Sequence, residues 1–527
     1  MSDAASARAR IKAISGGMPK YVVIGVGTAL VLLLGFLLLR SLSTEDVKIT
    51  GLAQPVNTNA EVGIQGVNNA KISVDGREVA ARQVPGGLTM GPAGLPEGKH
   101  ELVVDAPRSI SWLGSDTTSH EFTVDNTPPD LQVDDSLRPD GPNRPVTVNG
   151  KAHGAERVEV AGKQVKTDPQ GAFSLVVDKP DRDVKVVATD AAGNRAERVM
   201  AVHIKHPGMR AVHVTGMAWT SDSLREPILE MARQGKIDTV ELDLKDESGE
   251  VVYDSAVPTA QQIGAVKGYY NARQALDQLH GMGVRVVGRL VAFKDPILGA
   301  ASWNSGHPER VVQTSGGSPW SSGYGQFAFT NFADPVVRQY NVDIAAEAAQ
   351  LGFDDVLYDY VRRPDGHMEQ MRIPNLVGTP EAAIADFLRQ TQTEVRSRGA
   401  LLGASVFGIA VDRPTEIAQD IRQMSQYVDY IAPMVYPSHW AEGEFGVANP
   451  NTQPFDIVQR SLAEFAKVVA GTDVQIIPWL QDFSLGASYG PAEVAAQIDA
   501  SRSNGMNSFL LWAPNCRYHD AALTPTG

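Results

Sequence analysis

Asp355-Val-Leu-Tyr-Asp-Tyr-Val361 is a short apolar run set between two stretches of helical character, Pro335–Leu351 and Thr379–Arg398. A strand between crossover helices is the unit of a parallel sheet. Working outward, similar runs recur on both sides. Toward the N-terminus they are Ala211-Val-His-Val-Thr215, Thr239-Val-Glu-Leu-Asp-Leu-Lys245 and Arg285-Val-Val-Gly-Arg-Leu-Val291. Toward the C-terminus they are Leu402–Phe407, Val428–Tyr436, Val474–Leu480 and Ser508–Ala513. Further helices are predicted at Asn271–Met282, Glu416–Gln426, Phe455–Val469 and Pro491–Asn504. Gly283, Gly352 and Gly505 stand where a left-handed residue would end a helix before the next strand. Eight such cycles over roughly 300 residues predict an α/β domain, a (β/α)8 TIM barrel, across residues 209–527. A doubly wound open sheet is the alternative, but no glycine-rich phosphate turn follows the first strand.

Upstream the period changes to two. Glu101-Leu-Val-Val-Asp105 and His120-Glu-Phe-Thr-Val-Asp125 alternate apolar and polar residues, as half-buried antiparallel strands do. Asn126-Thr-Pro-Pro-Asp130 interrupts them, because paired prolines cannot sit inside a ladder. A second cycle runs from Val146 to Ile204. The spacing predicts two β-sandwich domains, 47–126 and 127–205. Their aromatic content does not mark a sugar-stacking face, and Trp112 stands alone, so a spacer role is expected.

Before these lies Tyr21–Leu39, YVVIGVGTALVLLLGFLLL, without charge or proline. Its length approaches the ~20 residues that cross ~30 Å of hydrocarbon. Arg8, Arg10, Lys12 and Lys20 precede it, whereas Arg40 is soon followed by Glu45 and Asp46. The positive-inside rule makes 1–20 a cytoplasmic tail, 21–39 a single transmembrane helix and the bulk of the chain extracytoplasmic. A cleaved signal peptide is the competing reading, though SLSTED offers no A-x-A site.

The net charge of −14 argues against a nucleic-acid binder, which needs clustered Lys and Arg. One cysteine, Cys516, excludes an internal disulfide framework and a thiolate metal cluster. No HExxH pair, P-loop, dinucleotide fingerprint or GxSxG elbow occurs, so no metal, nucleotide or other cofactor is expected.

In the barrel fold, chemistry is carried by the C-terminal strand ends and the loops after them. Those ends bring Glu241, Asp243, Lys245, Asp246 and Glu247 from the second strand and Arg289 from the third. The fourth adds Asp359, Tyr360 and Arg362, and the sixth Tyr436, His439 and Trp440. The seventh and eighth supply Trp479, Gln481, Asp482, Trp512 and Asn515. Paired carboxyls can transfer protons and supply a nucleophile or activate water. Aromatic faces stack on pyranose rings while Arg, Asn and Gln bind hydroxyls, so the rim suits a sugar. Trp303 and Trp320 fall in the long loop 295–334, which reads as a lid or subsite wall.

The segments ELDLKDESGEVVYDS, LYDYVRRP, VDYIAPMVYPSHW, IPWLQDF and FLLWAPN resemble a family of glycoside hydrolase barrels over about Met209–Asp520. TDAAGNRAE and VDNTPPD resemble Ig-like repeats of bacterial exported proteins. The barrel resemblance implies a glycoside hydrolase, and with the predicted membrane anchor its expected substrate is a cell-envelope or extracellular polysaccharide. It also places Asp359 where related barrels hold their nucleophile, the alternative being a salt bridge to Arg362 or Arg363. Asp482 would complete a fourth-and-seventh strand pair, with Asp243 and Asp246 competing, and any of the three could instead orient Lys245 or Arg289. Arg289, Tyr360, Arg362, Tyr436, His439, Trp479, Gln481, Trp512 and Asn515, with Asp246, are the expected substrate contacts. Two rivals use the same residues differently: a non-catalytic carbohydrate-binding barrel, and a structural assembly protein relying on its β domains.

Overall fold

The computed structural model describes residues 47–525 except 53–54, 109–113, 143 and 181–182. The predicted tail 1–20, the helix 21–39 and Trp112 lie outside the described residues. Among the described residues no helix is long and apolar enough to cross a membrane.

The chain forms two compact units. The first is strand-rich. Its N-terminal part has one antiparallel sheet ordered Lys48–Thr50, Val62–Gln65, Gly87–Met90, Arg82–Val84. A second is ordered Arg77–Glu78, Lys71–Val74, Gly98–Pro107, Ser115–Val124. Along Gly98–Pro107 every second residue from His100 to Ala106 is buried, the period-two pattern read from the sequence. Val62, Ile64, Leu102, Val104 and Phe122 make the core.

The second unit holds a closed barrel of eight parallel strands. They are β1 (Arg210–Val214), β2 (Thr239–Lys245), β3 (Arg285–Val291), β4 (Asp355–Asp359), β5 (Leu401–Phe407) and β6 (Tyr430–Met434). β7 comes in two pieces, Gln475–Ile476 and Trp479–Gln481, and β8 is Phe509–Trp512. Each pairs with its sequence neighbours, and β1 pairs with both β2 and β8. That is a TIM barrel. The strands are buried on both faces, which is why they read as near-continuous apolar runs. Helices predicted at 335–351 and 379–398 form as Pro335–Leu351 and Pro380–Arg396. Gly352 ends the first with φ +111°, its N–H donating to the Ala348 and Ala349 carbonyls. The helix expected over Glu416–Gln426 is only Ile421–Met424, because Pro414 starts a separate 3₁₀ turn ending at Glu416. A helix at Asp222–Arg233 closes the first cycle.

Alternation sorts the barrel's contents. Val212 and Val214 of β1 and Leu242 and Leu244 of β2 face the helices. Ala211 faces inward, into a lower layer with Val287, Leu357, Tyr430, Trp479 and Leu510. Gly403 makes room for Tyr430, since a Cβ there would meet its ring at 2.2 Å. Above this apolar floor the inward positions of the first four strands turn polar: His213, Glu241, Asp243, Arg289 and Asp359.

Candidate active site

At the C-terminal end of the barrel a cleft of about 410 Å³ opens over this polar layer. Two carboxylates line it, Glu247 and Asp359, with Arg289 between them. Asp359 ends β4, and one oxygen accepts from Arg289 Nη2 (2.7 Å) and Nε (3.1 Å). Its other oxygen accepts from the backbone N–H of Tyr360 at 2.7 Å. That turn holds Tyr360 at φ +47°, a left-handed conformation that a bulky residue rarely adopts. Strain of this kind persists where the surroundings fix it, often at functional sites.

Glu247 reaches the same Arg289 Nη2. It stands on the turn after β2, where Asp246 accepts from the Ser248 N–H and hydroxyl and from the Glu250 N–H. Burial pushes the Glu247 carboxyl up, but the charge and hydrogen bond of Arg289 outweigh this and bring it to about 2. It is ionised at neutral pH. Its side chain is 34% exposed against 10% for Asp359.

Beneath them Arg289 Nη1 donates to Asp243 at 2.8 Å. Asp243 is buried, and this raises its carboxyl to about 7 despite the nearby His213 and Arg289. Burial likewise holds Glu241 well above the ordinary carboxylate range and takes His213 down to about 4. His213 Nδ1 meets Glu241, and its ring stacks on Trp512 at 4.1 Å.

The walls are aromatic. Trp512 lies under the Arg289 guanidinium at 5.0 Å, and Trp479 meets its edge at 5.6 Å. Trp479 Nε1 donates to Ser405 Oγ at 2.9 Å, which fixes the indole. Tyr436 packs edge-on against His439 and Phe483, and burial lowers the His439 imidazole. Gly408 leaves space for Trp440, whose ring would lie 2.4 Å from a Cβ there.

Of the residues expected from sequence, Asp359, Arg289, Tyr360, Tyr436, His439, Trp479 and Trp512 line the cleft. The others are placed elsewhere. Asp482 lies outside the lining, its oxygens accepting from His519 Nδ1 (2.5 Å) and the His519 N–H (2.9 Å). Asp243 sits behind Arg289 and orients it, while Asp246 is spent on its turn. Gln481 holds Ser438 and the Phe483 carbonyl. Arg362 is buried over the rings of Phe407, Tyr360 and Phe329, and pairs with Asp365 rather than Asp359. Asn515 caps a local turn to the Arg517 N–H. In the long loop Trp303 packs on Phe327, and it is Tyr324, beside the hairpin strand Gly325–Gln326, that lines the cleft. Glu247 and Tyr324 were not among the expected contacts.

An acidic pair sharing one arginine, in an aromatic cleft at the strand ends of a (β/α)8 barrel, is the apparatus of a carbohydrate-active hydrolase. The family described as "Putative glycosyl hydrolase domain" matches residues 211–518, more than half of the chain, and the chain belongs to that family. It therefore carries a glycoside hydrolase domain. No curated protein matches in sequence. Among solved structures, the PgaB (BpsB) glycoside hydrolase domain from Bordetella bronchiseptica is similar, with 16% identity and a TM-score of 0.46. That match covers 59% of this chain and 95% of the other. A hypothetical protein from Ruminiclostridium thermocellum is 29% identical over 37% of this chain and 96% of its own, with a TM-score of 0.33. The PelA glycoside hydrolase domain from Pseudomonas aeruginosa is 14% identical over 59% and 97%, with a TM-score of 0.36. Each TM-score is below 0.5, and the family match covers the barrel.

Proposed function

We propose that the chain is a membrane-anchored, extracytoplasmic glycoside hydrolase that cleaves a cell-envelope or extracellular polysaccharide with Asp359 as nucleophile and Glu247 as acid and base. The observation that carries the chemistry is that these two cleft-lining carboxylates meet one nitrogen of Arg289. Each is within hydrogen-bond reach of it, so their nearest oxygens lie within ~6 Å of each other. This suits the ~5–5.5 Å separation of a retaining pair better than the ~6.5–9.5 Å of an inverting one. Asp359 accepts three N–H bonds, which fix the orientation of its carboxyl group at the cleft as a nucleophile needs. Glu247 must become protonated to serve a leaving group. A sugar that separates it from Arg289 removes the interaction that lowers its pKa and leaves the burial that raises it. Trp479, Trp512 and Tyr436 supply the ring faces. The anchor and the extracytoplasmic placement rest on Tyr21–Leu39 and the basic residues before it, and the strand-rich N-terminal part would be a spacer.

The test is hydrolysis of a panel of bacterial polysaccharides by the purified protein, followed by Asp359→Ala and Glu247→Ala with added azide. A retaining pair gives an inverted glycosyl azide from the first variant and a retained one from the second. Two inactive variants of an active enzyme with no azide product would remove the retaining mechanism.

A second reading, a carbohydrate-binding barrel without turnover, is favoured by Glu247 being ionised at rest. Glycan retention on the immobilised protein with no reducing-end release between pH 4 and 8 would establish it.

A further inference from the structure

On the wall of the cleft His439 ends a hydrogen-bond chain whose direction is fixed by backbone groups. The chain starts in β7. Gln481 is fully buried. Gln497, on the helix Pro491–Ser503, pins its main chain by accepting from the Gln481 N–H at 2.9 Å and donating to its carbonyl at 2.8 Å. The Gln481 side-chain amide then faces two backbone groups whose roles cannot be exchanged. Its Nε2 donates to the Phe483 carbonyl at 2.8 Å, and its Oε1 accepts from the Ser438 N–H at 3.0 Å. A carbonyl only accepts and an N–H only donates, so the amide has one orientation.

The same Oε1 accepts from Ser438 Oγ at 2.8 Å. The serine proton lies between these two oxygens, since the amide oxygen has none to give. Ser438 has no second hydroxyl hydrogen, so toward His439 its Oγ is an acceptor. His439 Nδ1 stands 3.0 Å from that oxygen and therefore carries the ring proton. The bond made by one imidazole nitrogen thus decides the state of the other. Nε2 is left with a lone pair and, among the described residues, without a hydrogen bond. The ring is exposed and lines the cleft, with Tyr436 and Phe483 edge-on at 5.3 and 6.3 Å. The part of it that is packed favours the neutral imidazole.

We propose that His439 is a specificity residue, held as the Nδ1–H tautomer so that its Nε2 accepts a hydrogen bond from a free hydroxyl of the glycan. Ser438 and Gln481 are positioning residues that act through the imidazole. The hydroxyl as ligand rests on the cleft binding a glycan, as proposed above, whereas the tautomer does not. Aromatic walls hold pyranose rings by their faces, and a few placed polar groups fix orientation and choice. A hydroxyl satisfies Nε2. An O-methyl group at that position has no proton to donate, and a carboxylate sets lone pair against lone pair. A site built to pair with a substrate O–H rejects the analogue that lacks it.

The experiment has two arms, both on the full chain. In the first, the histidines are labelled with nitrogen-15 and their ring signals recorded at about pH 8, where an ordinary imidazole is neutral and the tautomer alone is read. His439→Gln identifies the His439 signals. Nδ1 should carry the proton. Ser438→Ala should release the ring into a mixture with Nε2 also protonated, and Ser438→Thr, which keeps the hydroxyl, should restore the parent spectrum. A parent ring protonated at Nε2, or a spectrum that Ser438→Ala leaves unmoved, overturns the proposal. If the Ser438 variants do not fold, the parent spectrum decides. The second arm uses the same panel of bacterial polysaccharides. On one that the parent binds, His439→Phe should weaken binding about 10-fold, the worth of one hydrogen bond, with kcat within ~3-fold if that glycan is cleaved. Unchanged affinity in His439→Phe overturns the role in recognition. A panel from which the parent binds nothing defeats the glycan reading and the hydroxyl assigned to Nε2, while the tautomer is decided by the first arm.

Discussion

The ends of β4 and β7 each carry an aspartate one might assign to catalysis, and the structure gives them opposite surroundings. Asp359 is an inward position of β4, two residues on from Leu357 in the apolar floor. It meets Arg289 and faces the cleft. In β7 the inward positions are Ile477 and Trp479, so Gln481 continues that face and Asp482 falls out of phase by one residue. Its carboxylate turns away and fastens the C-terminal segment through His519. Burial raises the Asp482 carboxyl, offset in part by His519. Standing at a strand end does not place a carboxylate in the site. Phase along the strand does.

The largest expected effect follows from this contrast. Asp359→Asn should lower turnover by at least ~10³-fold while glycan binding persists, as loss of a covalent nucleophile does. Steady-state kinetics on the cleaved polysaccharide measure it, and a loss below ~10-fold would put the nucleophile elsewhere.

Next in size is Glu247→Gln, for which a loss of ~10²–10³-fold is expected if it is the acid and base. The deficit should shrink on an activated aryl glycoside, whose leaving group needs little protonation. An equal deficit on both substrates would assign Glu247 to binding alone.

Glu247 and Asp359 show how unevenly the site could be read in advance. The eight strands were legible because both their faces are buried. The aromatic residues at their ends were legible because inward phase carries them to the rim. Asp482 was misplaced because β7 breaks at Ile477-Pro478, where its alternation is hard to follow. Glu247 is named at the rim beside Asp246, but Asp243 and Asp246 are preferred to it because strand phase does not say which of two adjacent turn carboxylates faces the cleft. A signal was present: in Asp246-Glu-Ser-Gly249 an aspartate that caps the following N–H groups spends its own carboxylate and presents the next residue outward. Arg289 as the hub depends on contacts among β2, β3 and β4 that no local pattern encodes. The short helix at Ile421–Met424 was overestimated because Pro414 and Glu416 look like a helix start but close a separate turn.

A smaller effect concerns stability. Glu247 has its folded pKa lowered from 4.5 to about 2, chiefly by Arg289 working against burial. Its ionic contribution is therefore fully present above about pH 4.5 and lost as pH falls toward about 2. Glu247→Gln should melt a few degrees below the parent protein at pH 7, and the two curves should converge below pH 3. A gap that stays constant across that window would show that Arg289 does not hold Glu247 as a carboxylate.

The smallest effect is expected where the sequence most suggested a large one. Asp482→Asn keeps an oxygen for the His519 N–H and alters the bond to Nδ1, so it exchanges a charged acceptor for a neutral one at a site away from the cleft. One such hydrogen bond is worth ~1 kcal/mol, equivalent to a fall in Tm of ~2–4 °C. Turnover should stay within ~3-fold of the parent, because the Asp482 carboxylate bonds to His519, which does not line the cleft, and the backbone N–H that donates to the Trp512 carbonyl is kept in the variant. The decisive comparison is the ratio of the Asp359→Asn and Asp482→Asn deficits on one substrate. A ratio near one would restore the fourth-and-seventh pairing and require the C-terminal segment to release Asp482 when a glycan binds. A ratio of hundreds or more would keep the acidic pair on β4 and the turn after β2, joined by Arg289.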